Sequence, residues 1–231
     1  MSIKDFLSKE FSNWKRFEIV ALLLSFILIF YCAIQYNDSP VAVTSAICGI
    51  LYTIIAGKGK ISCYAFGLLG SGCYSYLAFH NALWGNLLLY LYYYIPMQIF
   101  GIYRWSRHLS TDTKEIIKTK LTPNELVGIS IFTVVGFVAS VYLLKYFNGG
   151  NPIFDSLTTI LSIVGMYLTV KRCIEQWIIW VVVNGLSFVM WLELVLNGSK
   201  AYATVIMWGV YFILAIYFYY TWKKEMKLSN L

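Results

Sequence analysis

The feature that most constrains this chain is the recurrence of apolar runs long enough to span a bilayer. Eight of them occupy 17–36, 40–56, 61–79, 85–105, 125–146, 153–170, 174–196 and 201–222. A helix needs roughly 20 mostly apolar residues to cross the hydrocarbon core. Hydrophobic residues make up 59% of the chain, charged residues only 13%, and the mean hydropathy is +0.67. A soluble domain of this size cannot bury so much apolar surface, so the expected class is an all-α polytopic membrane protein with eight transmembrane helices. The first run is too long for a signal-peptide core and has no small-residue cleavage site, so it reads as a retained helix.

The connectors are short and rich in Gly, Asn, Ser or Pro, as in NDSP at 37–40 and NGGNP at 148–152. The exception is the polar stretch 106–124, which divides the chain in two. Of the 18 Lys and Arg residues, 16 fall in the N-terminus and every second connector after it, leaving only Lys145 and Lys200 in the others. That asymmetry predicts both termini on the cytoplasmic side. It also accounts for the net charge of +7 as a basic rim beside anionic lipid, with no nucleic-acid partner.

A shift of 113 positions lays Lys58 on Lys171, Tyr64 on Trp177, Gly67 on Trp180, Ser71 on Asn184, Gly72 on Gly185 and Gly85 on Gly198. The order of elements recurs as well: a Pro-initiated run, a basic turn, a second run, a Gly turn and an aromatic run ending in Trp. The expected organisation is a parallel 3+1+3 repeat, with binding sites near the midplane where the repeats meet. Residues 1–36 form the N-terminus and an extra first helix, 37–105 the first three-helix repeat, and 106–146 the linker and connecting helix. The second repeat spans 147–222, and 223–231 is the tail.

Near the middle of the runs there is no Asp, Glu, Lys or Arg; Asp155, Glu193 and His80 lie towards the ends. Ion-coupled carriers usually place carboxylates at depth, so an uncoupled path is expected. Neither a catalytic centre nor a metal or cofactor site is expected. No Ser/His, Asp/Asp or His/Glu set lies at depth, and Cys32, Cys48, Cys63, Cys73 and Cys173 form no pattern of metal ligands. The polar groups at depth are amides and hydroxyls. Trp177, Trp180 and Asn184 fall at i, i+3 and i+7, on one helical face. Asn86, Tyr90, Tyr93 or Tyr94, and Gln98 follow helical spacing down another, and Pro96 is expected to kink that helix beside Gln98. An unpaired amide is unfavourable in lipid, so these faces turn towards protein or a cavity. Two indoles beside an amide suit a flat polar ring; packing mass and interhelical hydrogen bonding are the alternative use of the same residues. Asp155, Ser156, Thr158 and Thr159 open the sixth run, where Thr158 is a further candidate contact and Asp155 also favours the positive helix start.

The segment YYYIPMQIFGIYRW, the polar linker, and then DSLTTILSIVGMYLTVKRCIEQWIIWVVVN resemble the PnuC family of bacterial vitamin transporters, from the second run to the last. The resemblance implies a SWEET-like 3+1+3 fold, a homotrimer in the inner membrane, and uptake of nicotinamide riboside by facilitated diffusion. Trapping by a cytoplasmic kinase is implied with it. It places the substrate pocket at Gln98, Trp177, Trp180 and Asn184. Family members also carry thiamine or riboflavin, so thiamine is the nearest alternative; a sugar carrier and a non-transporting assembly subunit are weaker ones. Nicotinamide riboside carries a pyridinium cation, which aromatic faces attract by about 1–2 kcal/mol when desolvated. It also carries a carboxamide that an Asn or Gln can pair with.

Overall fold

A computed structural model describes residues 14–36, 39–80, 84–110, 115–146, 152–197 and 202–228. The helices are α1 (Arg16–Tyr36), α2 (Pro40–Gly57), α3 (Cys63–His80), α4 (Trp84–Leu89), a π-helical turn (Tyr90–Tyr94), α5 (Ile95–Ser106), α6 (Pro123–Tyr146), α7 (Pro152–Lys171), α8 (Glu175–Leu196) and α9 (Tyr202–Leu228). α4, the π turn and α5 follow one another without a break, as one rod over 84–106. Local chemistry sets the starts. Ser39 caps α2 by accepting from the Ala42 N–H at 3.2 Å, with Pro40 in the first turn. Thr122 and Glu125 form a reciprocal capping box at α6, with bonds of 3.0 and 3.4 Å.

Among the described residues, six helices, α1, α2, α6, α7, α8 and α9, contain stretches long and apolar enough to cross a membrane. α3 has 18 residues, but Gly67, Gly70, Gly72, Ser71, Ser75 and three tyrosines dilute its hydropathy. The rod over 84–106 is diluted in the same way, by tyrosines, Asn86 and Gln98. Part of that content, Tyr64, Ser71 and Ser75 of α3 and Gln98 of the rod, is buried in the interior.

The packing closes a ring among the described residues. α2 packs on α3, α3 on the 84–106 rod, α5 on α7, α7 on α8, α8 on α9, and α9 back on α2. α1 lies outside against α2 and α9, and α6 lies outside against α7. α6 has no buried residue, as suits a helix whose apolar circumference faces lipid. Two indoles tie the ring across its seams: Trp105 of α5 donates to the Thr169 carbonyl of α7 at 3.1 Å, and Trp222 of α9 to the Gly57 carbonyl of α2 at 2.6 Å. They join Tyr64, Ile54, Trp177 and Phe218 in the main buried cluster.

That cluster lies at the basic end of the bundle, beneath the α2–α3 and α7–α8 turns. The linker does not hang free of the two halves. The Ile116 N–H donates to the Gly59 carbonyl, the Thr119 N–H to the Arg172 carbonyl, and the Ile174 N–H to the Thr119 carbonyl, each at 2.9 Å. Arg172, at φ 66°, sends Nη1 to the Ile117 carbonyl at 2.9 Å. Burial, with Arg104 nearby, lowers the proton affinity of the Arg172 guanidinium, and burial pushes the Cys173 thiol up. Lys118 pairs with Glu225 on α9 and lies over the Trp222 ring. Gly59 takes φ 71°, and a Cβ there would meet Ile116 at 3.0 Å, so the tight α2–α3 turn needs glycine.

Candidate binding site inside the helix ring

Pro96 has no N–H to give to the helix ladder, and its ring crowds the carbonyl one turn back. The chain absorbs this by widening at Tyr90–Tyr94, where the Ile95 N–H reaches the Tyr90 carbonyl five residues earlier. Such π turns recur at functional sites. Here the extra residue in the turn brings both Tyr93 and Tyr94 towards α7. The Tyr93 hydroxyl donates to the Ile163 carbonyl at 2.7 Å, and the Tyr94 hydroxyl lies beside Ser162. Tyr90 turns the other way and stacks on Tyr74 of α3, with ring centroids 4.4 Å apart. Tyr92 is exposed on the outer surface.

Just past the proline, Gln98 points inward and is 5% exposed. Its Nε2 donates to the Ser71 hydroxyl of α3 at 2.8 Å. Its Oε1 is buried with no hydrogen-bond partner. Gly67, one turn before Ser71, makes room for that oxygen: a Cβ there would lie 2.7 Å from Oε1 and 2.8 Å from the Tyr52 ring of α2. Tyr52 in turn reaches across to Met166 Sδ of α7 at 3.9 Å.

The second half supplies Trp180 and Asn184 from α8. The Trp180 indole N–H donates to the Thr169 hydroxyl at 3.1 Å, and its ring lies where a Cβ on Gly165 would be 3.1 Å away. Thr169 is itself fixed by donating to the Gly165 carbonyl at 2.9 Å. Asn184, halfway along α8, is 5% exposed. Trp177 behaves differently from its neighbour one turn on. It is 3% exposed and packed on Phe218 and Trp222, with centroids 5.3 and 5.6 Å away, and its indole N–H has no hydrogen-bond partner.

Gln98, Tyr90, Tyr93, Tyr94, Trp180 and Asn184 thus lie on the helices that make the ring, while Trp177 belongs to the aromatic cluster at the basic end. Thr158 sits near the start of α7 and spends its hydroxyl on the Phe154 carbonyl of its own helix at 2.9 Å. The Asn86 side chain lies outside the described residues. Sequence reasoning missed Tyr52, Ser162 and Thr169, and it counted Ser71 and Gly67 only as repeat matches. The one available signal was the i, i+4 spacing of Gly67 and Ser71 opposite a buried amide. The apolar surface depressions, one on α6 and one between α1 and α2, lie outside the ring. Among the described residues no group of His, Cys, Asp and Glu is placed to hold a metal.

A ring of helices, apolar outside and holding amides, hydroxyls and aromatic faces inside, defines a multi-pass membrane transporter. The chain matches the profile of a family described as nicotinamide mononucleotide transporters over residues 39–224. It is 34% identical to the nicotinamide riboside transporter PnuC of Haemophilus influenzae over all of both chains. It is 32% identical to the PnuC of Neisseria mucosa, over 98% of this chain and 88% of that one. A crystal structure of the vitamin B3 transporter PnuC superposes with a TM-score of 0.84 at 31% identity, covering 98% of this chain and 99% of the other. The chain belongs to this family, the PnuC transporters.

Proposed function

We propose that the chain takes up nicotinamide riboside across the bacterial inner membrane by facilitated diffusion, with trapping by cytoplasmic phosphorylation. The observation that carries the substrate is the pair of buried amides, Gln98 and Asn184, on opposite halves of a ring that also holds Trp180, Tyr93 and Tyr94. The amides suit a carboxamide and ribose hydroxyls, and the aromatic faces suit a pyridinium cation. The family description and the relatives' names differ over a phosphate. A phosphate calls for Arg or Lys at depth, and the described Lys and Arg side chains lie towards helix ends and connectors, so the unphosphorylated nucleoside fits better. Trp177 acts on the site from the aromatic cluster behind Trp180.

The architecture in this reading is eight spans with both termini cytoplasmic, a SWEET-like 3+1+3 repeat with α1 outside it, and a homotrimer. The closed ring and its two reciprocal indole ties support the repeat, and the basic end supports the orientation. In vesicles lacking a kinase, the nucleoside equilibrates without being concentrated, and Lys120→Cys is silent to an external thiol reagent. Accumulation driven by a proton or sodium gradient refutes the uncoupled path, and external labelling refutes the topology.

The central experiment is calorimetric titration of nicotinamide riboside into Asn184→Leu. Loss of a buried hydrogen-bond partner costs about 1–3 kcal/mol, which weakens binding about fivefold to more than a hundredfold. The variant still inserts, because Leu suits a membrane helix. Wild-type affinity in it returns Asn184 to the role of helix glue.

A further inference from the structure

Among the buried polar atoms of the described residues that lack a partner, Oε1 of Gln98 has surroundings that specify what it must meet. Its amide has two ends, and each is held differently. Nε2 is engaged by the Ser71 hydroxyl at 2.8 Å. Oε1 rests against Gly67, in the place where a Cβ would stand only 2.7 Å from it. The Gly67 hydrogen in that direction points at the oxygen, a weak C–H···O contact. Turned by 180°, the amide would set its own N–H hydrogens against that hydrogen. Gly67 and Ser71 are one helical turn apart on α3, so a single helix face holds both ends of the amide: the serine hydroxyl, able to accept or donate, fixes where the amide lies, and the glycine hydrogen favours the oxygen on its own side. A buried carbonyl without a donor is unfavourable, and no donor among the described residues reaches it.

We propose that Ser71 and Gly67 are positioning residues that lock the Gln98 amide with its acceptor free, and so make the site select a ligand that presents a hydrogen-bond donor. For a nicotinamide nucleoside, that donor is the carboxamide NH2, and the ligand selected against is the same nucleoside with a carboxylate in its place. A carboxylate offers only acceptors and meets the Gln98 oxygen with repulsion. This rests on the substrate reading above and deepens it: Gln98 is the contact, and the two α3 residues decide which face of its amide the ligand sees.

The test is the ratio of the dissociation constants for nicotinamide riboside and nicotinic acid riboside, measured by calorimetry on the folded, monodisperse protein. Wild type favours the amide. In Ser71→Ala the amide of Gln98 is free to turn, and the preference falls about tenfold, the equivalent of one hydrogen bond. Ser71→Thr, which keeps the hydroxyl, retains the wild-type ratio. Gly67→Ala dislodges Oε1 by another route and lowers the ratio as Ser71→Ala does. A merely structural role weakens both ligands alike and leaves the ratio where it was. An unchanged ratio in both Ser71→Ala and Gly67→Ala overturns the proposal. Wild-type protein that binds neither nucleoside overturns instead the substrate reading on which it rests.

Discussion

The two halves of the ring make the same contact with the partners exchanged. In the first half the bulk sits on the first helix: Tyr52 of α2 fills the space left by Gly67 of α3. The positions 113 residues later are Gly165 and Trp180, and there the bulk sits on the second helix, with the Trp180 ring over Gly165 of α7. One scaffold therefore presents two unlike surfaces. The second half offers an indole anchored through Thr169; the first leaves a recess that Gln98 occupies. A ligand with a ring at one end and a polar group at the other needs this inequality, because two identical halves would offer the same surface twice. The rim differs in the same spirit. Lys58 pairs with Glu18 of α1 and Lys171 with Glu125 of α6, but the Lys58–Glu18 side chains are 7% and 2% exposed, against 22% and 38% for the other pair.

The rim is where the comparison is broken with the largest effect. Glu18 also accepts from the Lys15 N–H at 2.9 Å and the Tyr217 hydroxyl at 3.2 Å, so Glu18→Ala takes the carboxylate away from a buried lysine, a backbone N–H and a hydroxyl at once. It is expected to destabilise the protein by about 3–5 kcal/mol, whereas Glu125→Ala removes a more exposed pair worth about 0–1 kcal/mol together with its half of the α6 capping box, about 1 kcal/mol more. Denaturation of the two variants side by side in detergent measures the difference; equal losses contradict it. Next come the exchanged glycines. Gly67→Ala collides at 2.7–2.8 Å with Gln98 and Tyr52 and is expected to lose about 1–3 kcal/mol, while Gly165→Ala meets Trp180 at 3.1 Å and loses less. A reversed order of melting temperatures shows that the first half yields more easily than its geometry implies. The smallest effect sharpens the seam between the halves. Tyr93→Phe removes only the hydroxyl bond to Ile163 of α7 and is expected to cost about 0.5–1.5 kcal/mol in stability. Stability equal to wild type means that bond holds nothing together.

Much of the scaffold was legible because lipid imposes length. The apolar runs at 17–36 and 40–56 fall within a residue of α1 and α2, and the run at 125–146 begins two residues after α6 does. Gln98 and Asn184 stood out for the same reason, as amides where water is absent. Ser71 did not, since a serine in a membrane helix usually bonds its own backbone, as Ser75 does to the Ser71 carbonyl. Pro96 was visible, but spacing alone left Tyr93 and Tyr94 as alternatives. The π turn admits both, and it arises from the ladder around the proline, not from any residue's preference. Trp177 and Trp180 look equivalent in sequence; α9, arriving from elsewhere in the chain, encloses one of them. The docking of the linker was hard to read from its composition, because many of the bonds that hold it are made by its backbone, and Ile116 and Lys118, which also dock it, are ordinary residues in a polar stretch.

Those backbone bonds make the linker a ruler. Ile116 is fastened to Gly59 at the turn of one half, and Thr119 to Arg172 and Ile174 at the turn of the other. Thr119 is three residues on from Ile116, and a fully extended chain covers at most about 3.3–3.6 Å per residue. While those bonds hold, the points where the linker meets the two turns stay within about 10 Å of each other along it. Changing the side chain of Ile117 leaves that gauge untouched, whereas inserting a single residue between 116 and 119 lengthens it by about a third. At the exposed Ile117 the spelling is free, buried Ile116 and paired Lys118 are held by their side chains as well, and the spacing is fixed throughout.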